Sequence, residues 1–199
     1  MPGQSPITSH VAPAEREQRH GHPGRIIWLT GLSGAGKSTI ARATVKQLRT
    51  QGEQPILIDG DEIRDAIRDP HTGHDPTSRL ANAYRICRFA RLLSKQKQTV
   101  VVATMSIFHE IHTWNRDQLP NYFEVWVEVD LDALQSRDAR GLYSRAKNGE
   151  TSNIPGLDID YERPLHPDLI LTNNPPFCDP EGLAEQLVHS VEHKPMIWT

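Results

Sequence analysis

The sequence predicts an α/β fold, a mostly parallel five-stranded sheet with helices on both faces and a lid, and three observations carry that expectation. Apolar strand-like runs alternate with helix-period segments from residue 25 onward. A glycine-rich stretch of the form GxxxxGK[ST], Gly31-Leu-Ser-Gly-Ala-Gly-Lys-Ser38, falls between the first strand and the first helix. Late in the chain a long polar stretch, broken by glycine and proline, interrupts the alternation.

Residues 25–30, Arg-Ile-Ile-Trp-Leu-Thr, form a short apolar strand, and Ile40, Ala41, Val45 and Leu48 then recur at helical spacing. Gly52 supplies a C-terminal stop, after which 55–59, Pro-Ile-Leu-Ile-Asp, reads as the second strand. A helix is predicted over 79–97 with Ile86, Phe89, Ala90 and Leu93 on one face and Cys87 on its apolar side. The runs 99–104 and 123–129 are the third and fourth strands, since strands of a parallel sheet are covered on both faces and read as near-continuous apolar runs. Asp130 is placed to cap a short helix through Leu131, Leu134 and Gln135, and 168–172 is the fifth strand. Asp179-Pro180 pairs a helix cap with a proline at the first helical position, opening a last helix through Leu183, Leu187, Val188 and Val191.

A chain of 199 residues fits one domain with a sizeable core, here 25–199. Residues 1–24 are rich in Pro, Gly, Ser, His and charge, too poor in apolar surface to offset the entropy of ordering, and are expected to be a mobile tail. His20 and His22 within it are an isolated pair, expected to be solvated rather than metal-bound. A net charge of -3 gives no basic footprint for a nucleic-acid partner, and no run approaches 18 apolar residues, so no membrane partner is expected either. Without an apolar stretch of signal-peptide type, the expected location is cytoplasmic. Two cysteines, Cys87 and Cys178, suggest reduced thiols rather than a disulfide framework.

The chemistry starts at the glycine loop. Gly31, Gly34 and Gly36 allow backbone N–H groups to turn around phosphate oxygens at a helix N-terminus, where Lys37 reaches the β- and γ-phosphates and Ser38 holds Mg²⁺. Asp59 and Asp61 stand at the carboxyl end of the second strand, followed by Arg64, where an open parallel sheet binds ligands. One carboxylate can organise Mg²⁺ and the other can accept a proton from an attacking hydroxyl, although Asp59 as a plain helix cap is an equal reading. Asp130 ends an apolar strand and rivals them as a metal carboxylate, with capping preferred. The polar stretch at about 139–167 reads as a lid that excludes water from phosphoryl transfer, bringing Arg145 and Lys147, with Arg137 and Arg140 at its edge. His109 and His112, three apart near a helix start, suit substrate contact or the surface better than a metal. Phe108, Trp114 and Trp126 read as core aromatics, with Phe108 also able to line a pocket beyond the third strand.

The combination of Gly31-Leu-Ser-Gly-Ala-Gly-Lys-Ser-Thr39, Asp59-Gly-Asp-Glu-Ile-Arg64, Arg79-x-x-Asn82, Arg137-Asp-x-x-Gly-Leu-Tyr143 and Gly156-Leu-Asp-x-x-Tyr-Glu162 resembles adenylylsulfate (APS) kinase from residue 26 to about 173. The resemblance implies a P-loop kinase fold, a homodimer, and transfer of the γ-phosphate of ATP to the ribose 3′-hydroxyl of adenosine 5′-phosphosulfate. It implies ATP contacts from Gly31, Ser33, Gly34, Ala35, Gly36, Lys37, Ser38, Thr39 and Arg137, and Mg²⁺ near Ser38 and Asp59. Asp61 is then the base, and Arg64, Arg79 and Asn82 hold the phosphosulfate of a small-molecule nucleotide acceptor. Family members carry two phenylalanines that sandwich the acceptor adenine, and the matching positions here are His74 and Ile154. Met105-Ser-Ile-Phe-His-Glu110 replaces the family's Ile-Ser-Pro, Ser144 replaces a lysine, and residues 104–116 are similar to a divergent branch that includes a kinase of cytidine diphosphoramidate. Phosphate contacts kept and base contacts changed suit a different acceptor nucleotide, so cytidine diphosphoramidate is the alternative to APS. A non-catalytic nucleotide switch is the alternative of another class. It is disfavoured because no Asn-Lys-x-Asp guanine motif occurs and Lys37 and both aspartates are present.

Overall fold

A computed structural model describes residues 24–67, 73–138 and 141–194. Five strands form, β1 (Ile26–Thr30), β2 (Ile56–Asp59), β3 (Val100–Ala103), β4 (Tyr122–Glu128) and β5 (Leu169–Thr172), all paired parallel in the order β2-β3-β1-β4-β5. The helices are α1 (Lys37–Thr50), α2 (Gly60–Ile67), α3 (Pro76–Lys95), α4 (His109–Gln118), α5 (Leu131–Arg137), α6 (Leu142–Lys147) and α7 (Pro180–His193). Successive strand side chains point to opposite faces, so β1 feeds two cores. Ile27 and Leu29 pack with Ile40, Ala41 and Leu48 of α1 and Leu187 of α7. Ile26 and Trp28 pack with Ile86, Cys87 and Ala90 of α3 and Ile111 of α4. Since β1 is flanked by β3 and β4, the chain leaves its carboxyl end toward the glycine loop while β2 and β3 end beside it, and that shared edge becomes a crevice.

Local signals set several boundaries that periodicity misplaced. Helix α3 starts at Pro76, three residues before its predicted start, because the Asp75 carboxylate accepts the Ser78 N–H at 3.0 Å and proline occupies the first turn. The same Asp-Pro device opens α7, where Asp179 accepts from Gly182. Phe89 was expected on the buried face of α3 but is 45% exposed. The buried stripe is Ala83, Ile86, Cys87 and Ala90, spaced i, i+3, i+4, i+7, and Phe89 falls outside it. Asp130 does occupy the cap position of α5, yet its side chain makes no capping bond. Its carboxylate is taken by the Asn174 amide at 2.9 Å, while the Asp130 N–H donates to Asn174 Oδ1 at 2.8 Å.

Gly24, assigned to the tail, belongs to the fold: it is buried and its N–H donates to the Ser94 carbonyl at 2.8 Å. The rest of the tail, with His20 and His22, lies outside the described residues, as does Arg140. The stretch read as one long loop contains α6 and a bridge between Pro155 and Ile159. Two aspartates organise it. Asp138 accepts the N–H groups of Tyr143 and Ser144, and Asp158 those of Asn153 and Ile154. Both cysteines are free thiols, Cys87 buried, with its pKa pushed up to about 12 by desolvation, and Cys178 exposed.

His112, expected at a substrate or the surface, is instead buried with Glu124 of β4, its Nδ1 2.6 Å from Glu124 Oε1. Arg116 donates to the other carboxylate oxygen at 2.8 Å and the Tyr122 hydroxyl to the first at 2.8 Å. Burial pushes the Glu124 pKa up, but the hydrogen bond and charge of His112, with Tyr122 and Arg116, outweigh it and hold the carboxyl below its ordinary value. We expect Glu124→Ala to lower the unfolding free energy by about 3 kcal/mol in urea titrations, because a buried ionic cluster loses its centre. A depressed carboxylate stabilises fully above its unfolded value and loses that contribution as pH falls through the lower folded value. The gap between wild type and variant should therefore close below pH ~4, and a gap unchanged there would exclude ionised Glu124 as its source.

Candidate active site

β1 hands the chain to the glycine loop and α1 begins at Lys37, so strand, loop, lysine and helix N-terminus are contiguous. Gly36 caps α1 at φ 99°, and a Cβ there would stand 2.9 Å from Asn173 Nδ2. A Cβ on Gly31 would meet the Val127 carbonyl oxygen at 2.5 Å. Neither position admits a side chain without displacing a neighbour. Four consecutive loop carbonyls are held by side-chain donors: Leu32 by Lys37 Nζ at 2.8 Å, Ser33 by the Tyr143 hydroxyl at 3.3 Å, Gly34 by Arg137 at 3.5 Å, and Ala35 by Asn173 at 3.0 Å. These bonds tie the loop's carbonyls to α1, α6, α5 and the end of β5, and an anion held by such a loop at a helix N-terminus meets backbone N–H groups.

The loop opens on a cavity of about 420 Å³ at the carboxyl edge of the sheet. Of the residues singled out in the sequence, Ser33, Gly34, Gly36, Lys37, Ser38, Thr39, Asp59, Asp61, Arg64, His74, Arg79, Asn82, Arg137 and Ile154 line it. Gly31 and Ala35 stand behind the lining, where they shape the loop. Phe108 is not among the lining residues: it occupies the cap position of α4 and packs against the core that holds Ile111 and Ile86. Ile154 has two surroundings, lining the cavity while only 2% exposed within the core that holds Leu32 and Tyr143.

Asp59 is buried at the end of β2 and its Oδ1 accepts the Asp61 N–H at 3.0 Å, so it caps α2 and also faces the cavity. The exposed Asp61 carboxylate lies 3.5 Å from Arg64 Nη1. Arg79 is committed to backbone, donating from Nε to the His74 carbonyl at 2.6 Å and from Nη2 to the Asn153 carbonyl at 2.8 Å, which joins the start of α3 to the 151–155 wall. Partial burial, then the charges of Arg64 and Arg79, pushes the His74 pKa below its ordinary value. Burial, then Arg64, lowers that of Arg79. Arg64 Nε and Asn82 Oδ1 are buried without a hydrogen-bond partner. Two mutually repelling guanidiniums beside such polar atoms suit a multiply charged polar ligand.

The sequence reading missed Thr104, Met105, Thr151 and Ser152, which also line the cavity, while of the two cations read on the lid Arg145 lines it and Lys147 does not. Thr104 and Met105 follow β3, next to β1 and β2 in the sheet, so strand order was the signal that finds them. Asn173 carried no local signal, its role being visible only where β5 passes the glycine loop. Among the described residues no cluster of three or more His, Cys, Asp or Glu could hold a metal. None of the described helices is long and apolar enough to cross a membrane.

The model of the adenylylsulphate kinase family matches residues 23–172. Cytidine diphosphoramidate kinase of Campylobacter jejuni is 41% identical over 149 residues, 75% of this chain and 86% of that protein. A probable adenylyl-sulfate kinase of Bacillus subtilis is 38% identical over 187 residues, 92% of this chain and 93% of the relative. The structure of the Mycobacterium tuberculosis APS kinase in complex with AMPPNP and APS superposes with a TM-score of 0.78 at 31% identity, covering 86% of this chain and 99% of that one. The family match over 23–172, the identity to curated kinases and the superposition on a solved kinase agree with a phosphate loop that opens on a cavity at the carboxyl edge of a parallel sheet: the chain belongs to the adenylylsulphate kinase family and is an ATP-dependent phosphotransferase acting on a hydroxyl group.

Proposed function

We propose that the protein transfers the γ-phosphoryl group of ATP to the ribose 3′-hydroxyl of a nucleotide whose 5′-phosphate is substituted, with adenylyl sulfate the family's acceptor. The observation that carries this reading is the meeting of the glycine loop, the Asp59–Asp61 pair and the Arg64–Arg79–Asn82 group in one cavity. Gly31, residues 33–39 and Arg137 take ATP, Lys37 follows the charge that moves between the β- and γ-phosphates, and Asp61 accepts the proton of the attacking hydroxyl. Arg64, Arg79 and Asn82 take the substituted 5′-phosphate, and His74 and Ile154 stand toward the base. The hydroxyl of Ser38 and the carboxylate of Asp59 are hard oxygen donors in one cavity, the set that Mg²⁺ takes together with phosphates and water. Bound there, Mg²⁺ supplies charge neutralisation on the phosphoryl oxygens. A homodimer belongs to this reading through the family resemblance.

One observation favours cytidine diphosphoramidate as the acceptor. Among the described residues that line the cavity there is no Phe, Tyr or Trp, so a purine finds no aromatic clamp. Stacking on aromatic faces is worth roughly 1–3 kcal/mol per base, and a pyrimidine, with less surface to cover, loses less by its absence. The relative named cytidine diphosphoramidate kinase supports the same choice. A coupled ADP-release assay with adenylyl sulfate, cytidine diphosphoramidate and the unsubstituted nucleotides decides it. The pyrimidine reading expects kcat/KM for cytidine diphosphoramidate to exceed that for adenylyl sulfate by about tenfold or more. The reverse order would leave adenylyl sulfate as the acceptor.

A further inference from the structure

Arg137 meets the glycine loop and an aromatic ring at once. It donates to the Gly34 carbonyl at 3.5 Å, lines the cavity, and sets its guanidinium over the Phe177 ring with Cζ 4.4 Å from the centroid. Phe177 itself does not line the cavity and stands behind Arg137. The backbone of the loop that carries this half-exposed ring is held near both ends. Asn173, nearly fully buried, donates to the Ala35 carbonyl at 3.0 Å and accepts the Cys178 N–H at 3.0 Å, while Asn174 is paired with Asp130. The loop from β5 to α7 is thereby tied to the glycine loop and to the start of α5, the helix whose last residue is Arg137.

We propose that Phe177 is a positioning residue for the donor nucleotide: it holds the Arg137 guanidinium flat, so that the adenine ring of ATP lies on the face turned to the cavity. With the phosphates in the glycine loop and the acceptor groups Asp61, Arg64 and Arg79 on the β2 side, the Arg137 side is the one left for the donor's base. A long exposed side chain loses rotamer freedom when it orders under a ligand, and a stacked ring removes part of that loss in advance. Aromatic rings hold guanidinium groups in this way, and the delocalised planar cation offers a second face to another π system.

The inference rests on the reading of Arg137 as an ATP contact, and the test separates the two. Calorimetric Kd values for Mg-ATP and for Mg-tripolyphosphate, which has no base, are measured on wild type, Phe177→Ala, Phe177→Leu, Phe177→Tyr and Arg137→Ala. Phe177→Ala and Phe177→Leu should weaken ATP roughly fivefold, the scale of an exposed cation–π contact. Phe177→Tyr should restore it, tripolyphosphate should bind every Phe177 variant equally, and KM for ATP should rise with kcat unchanged. Equal weakening of ATP and tripolyphosphate, or no weakening of ATP while Arg137→Ala does weaken it, overturns the role of Phe177. If Arg137→Ala also leaves ATP affinity unchanged, the reading of Arg137 as a donor contact has failed, and the inference with it.

Discussion

Lys37→Ala is expected to lower kcat by at least about a thousandfold, with the protein still folded by circular dichroism. The reason is local geometry. Lys37 is the first residue of α1, directly after a glycine held at positive φ, so its ammonium is carried at the loop whatever the rest of the pocket does. Its Nζ donates to the Leu32 carbonyl at 2.8 Å, on the loop itself. Arg137 and Arg145 also line the cavity, but both are anchored on α5 and α6, outside the loop. Removing an interaction that strengthens as charge builds on the transferring oxygens should reduce kcat and kcat/KM alike. Near-wild-type turnover of Lys37→Ala in the ADP-release assay would overturn the assigned role of this lysine.

The second large effect separates the two aspartates. Asp61→Asn is expected to cost about a hundredfold or more in kcat, the usual weight of a general base, while Mg-ATP affinity stays within about twofold. Asp61 is exposed toward the cavity and lies 3.5 Å from Arg64, so its carboxylate can meet a hydroxyl while its charge is balanced. Asp59→Asn should behave differently. The amide oxygen of asparagine can still accept the Asp61 N–H that Asp59 Oδ1 accepts at 3.0 Å, so α2 should start in the same place. What is lost is a buried negative charge, and the concentration of Mg²⁺ needed for half-maximal rate should rise. Mg²⁺ titrations of turnover, with ATP affinity measured separately, distinguish the two. If both variants lose ATP affinity equally, neither role stands.

The order of elements, the parallel sheet and the position of the glycine loop were legible in the sequence because each depends on short-range rules. A run such as Val100–Ala103 is apolar since a parallel strand is covered on both faces, and Asp-Pro opens a helix because the cap and the fixed φ act within one turn. Motif spacing likewise brought Lys37, Asp59, Asp61, Arg64 and Arg79 into view, and the fold gathers them around one cavity. Tertiary structure alone decided which side chains share space across distant segments. Phe89 and Phe108 are both aromatic beside an amphipathic helix start or face, yet one is left to solvent and the other packs into the core, and only the neighbours make the difference. His112 reads as a surface residue until β4 places Glu124 2.6 Å from it, 12 residues on. Asn173 looks like loop filling until the sheet order sets β5 beside β4 and carries its amide to the Ala35 carbonyl, 138 residues earlier. Periodicity and capping report the free energy of the chain with itself over a few residues, whereas these contacts depend on how the sheet is ordered and which helix covers it.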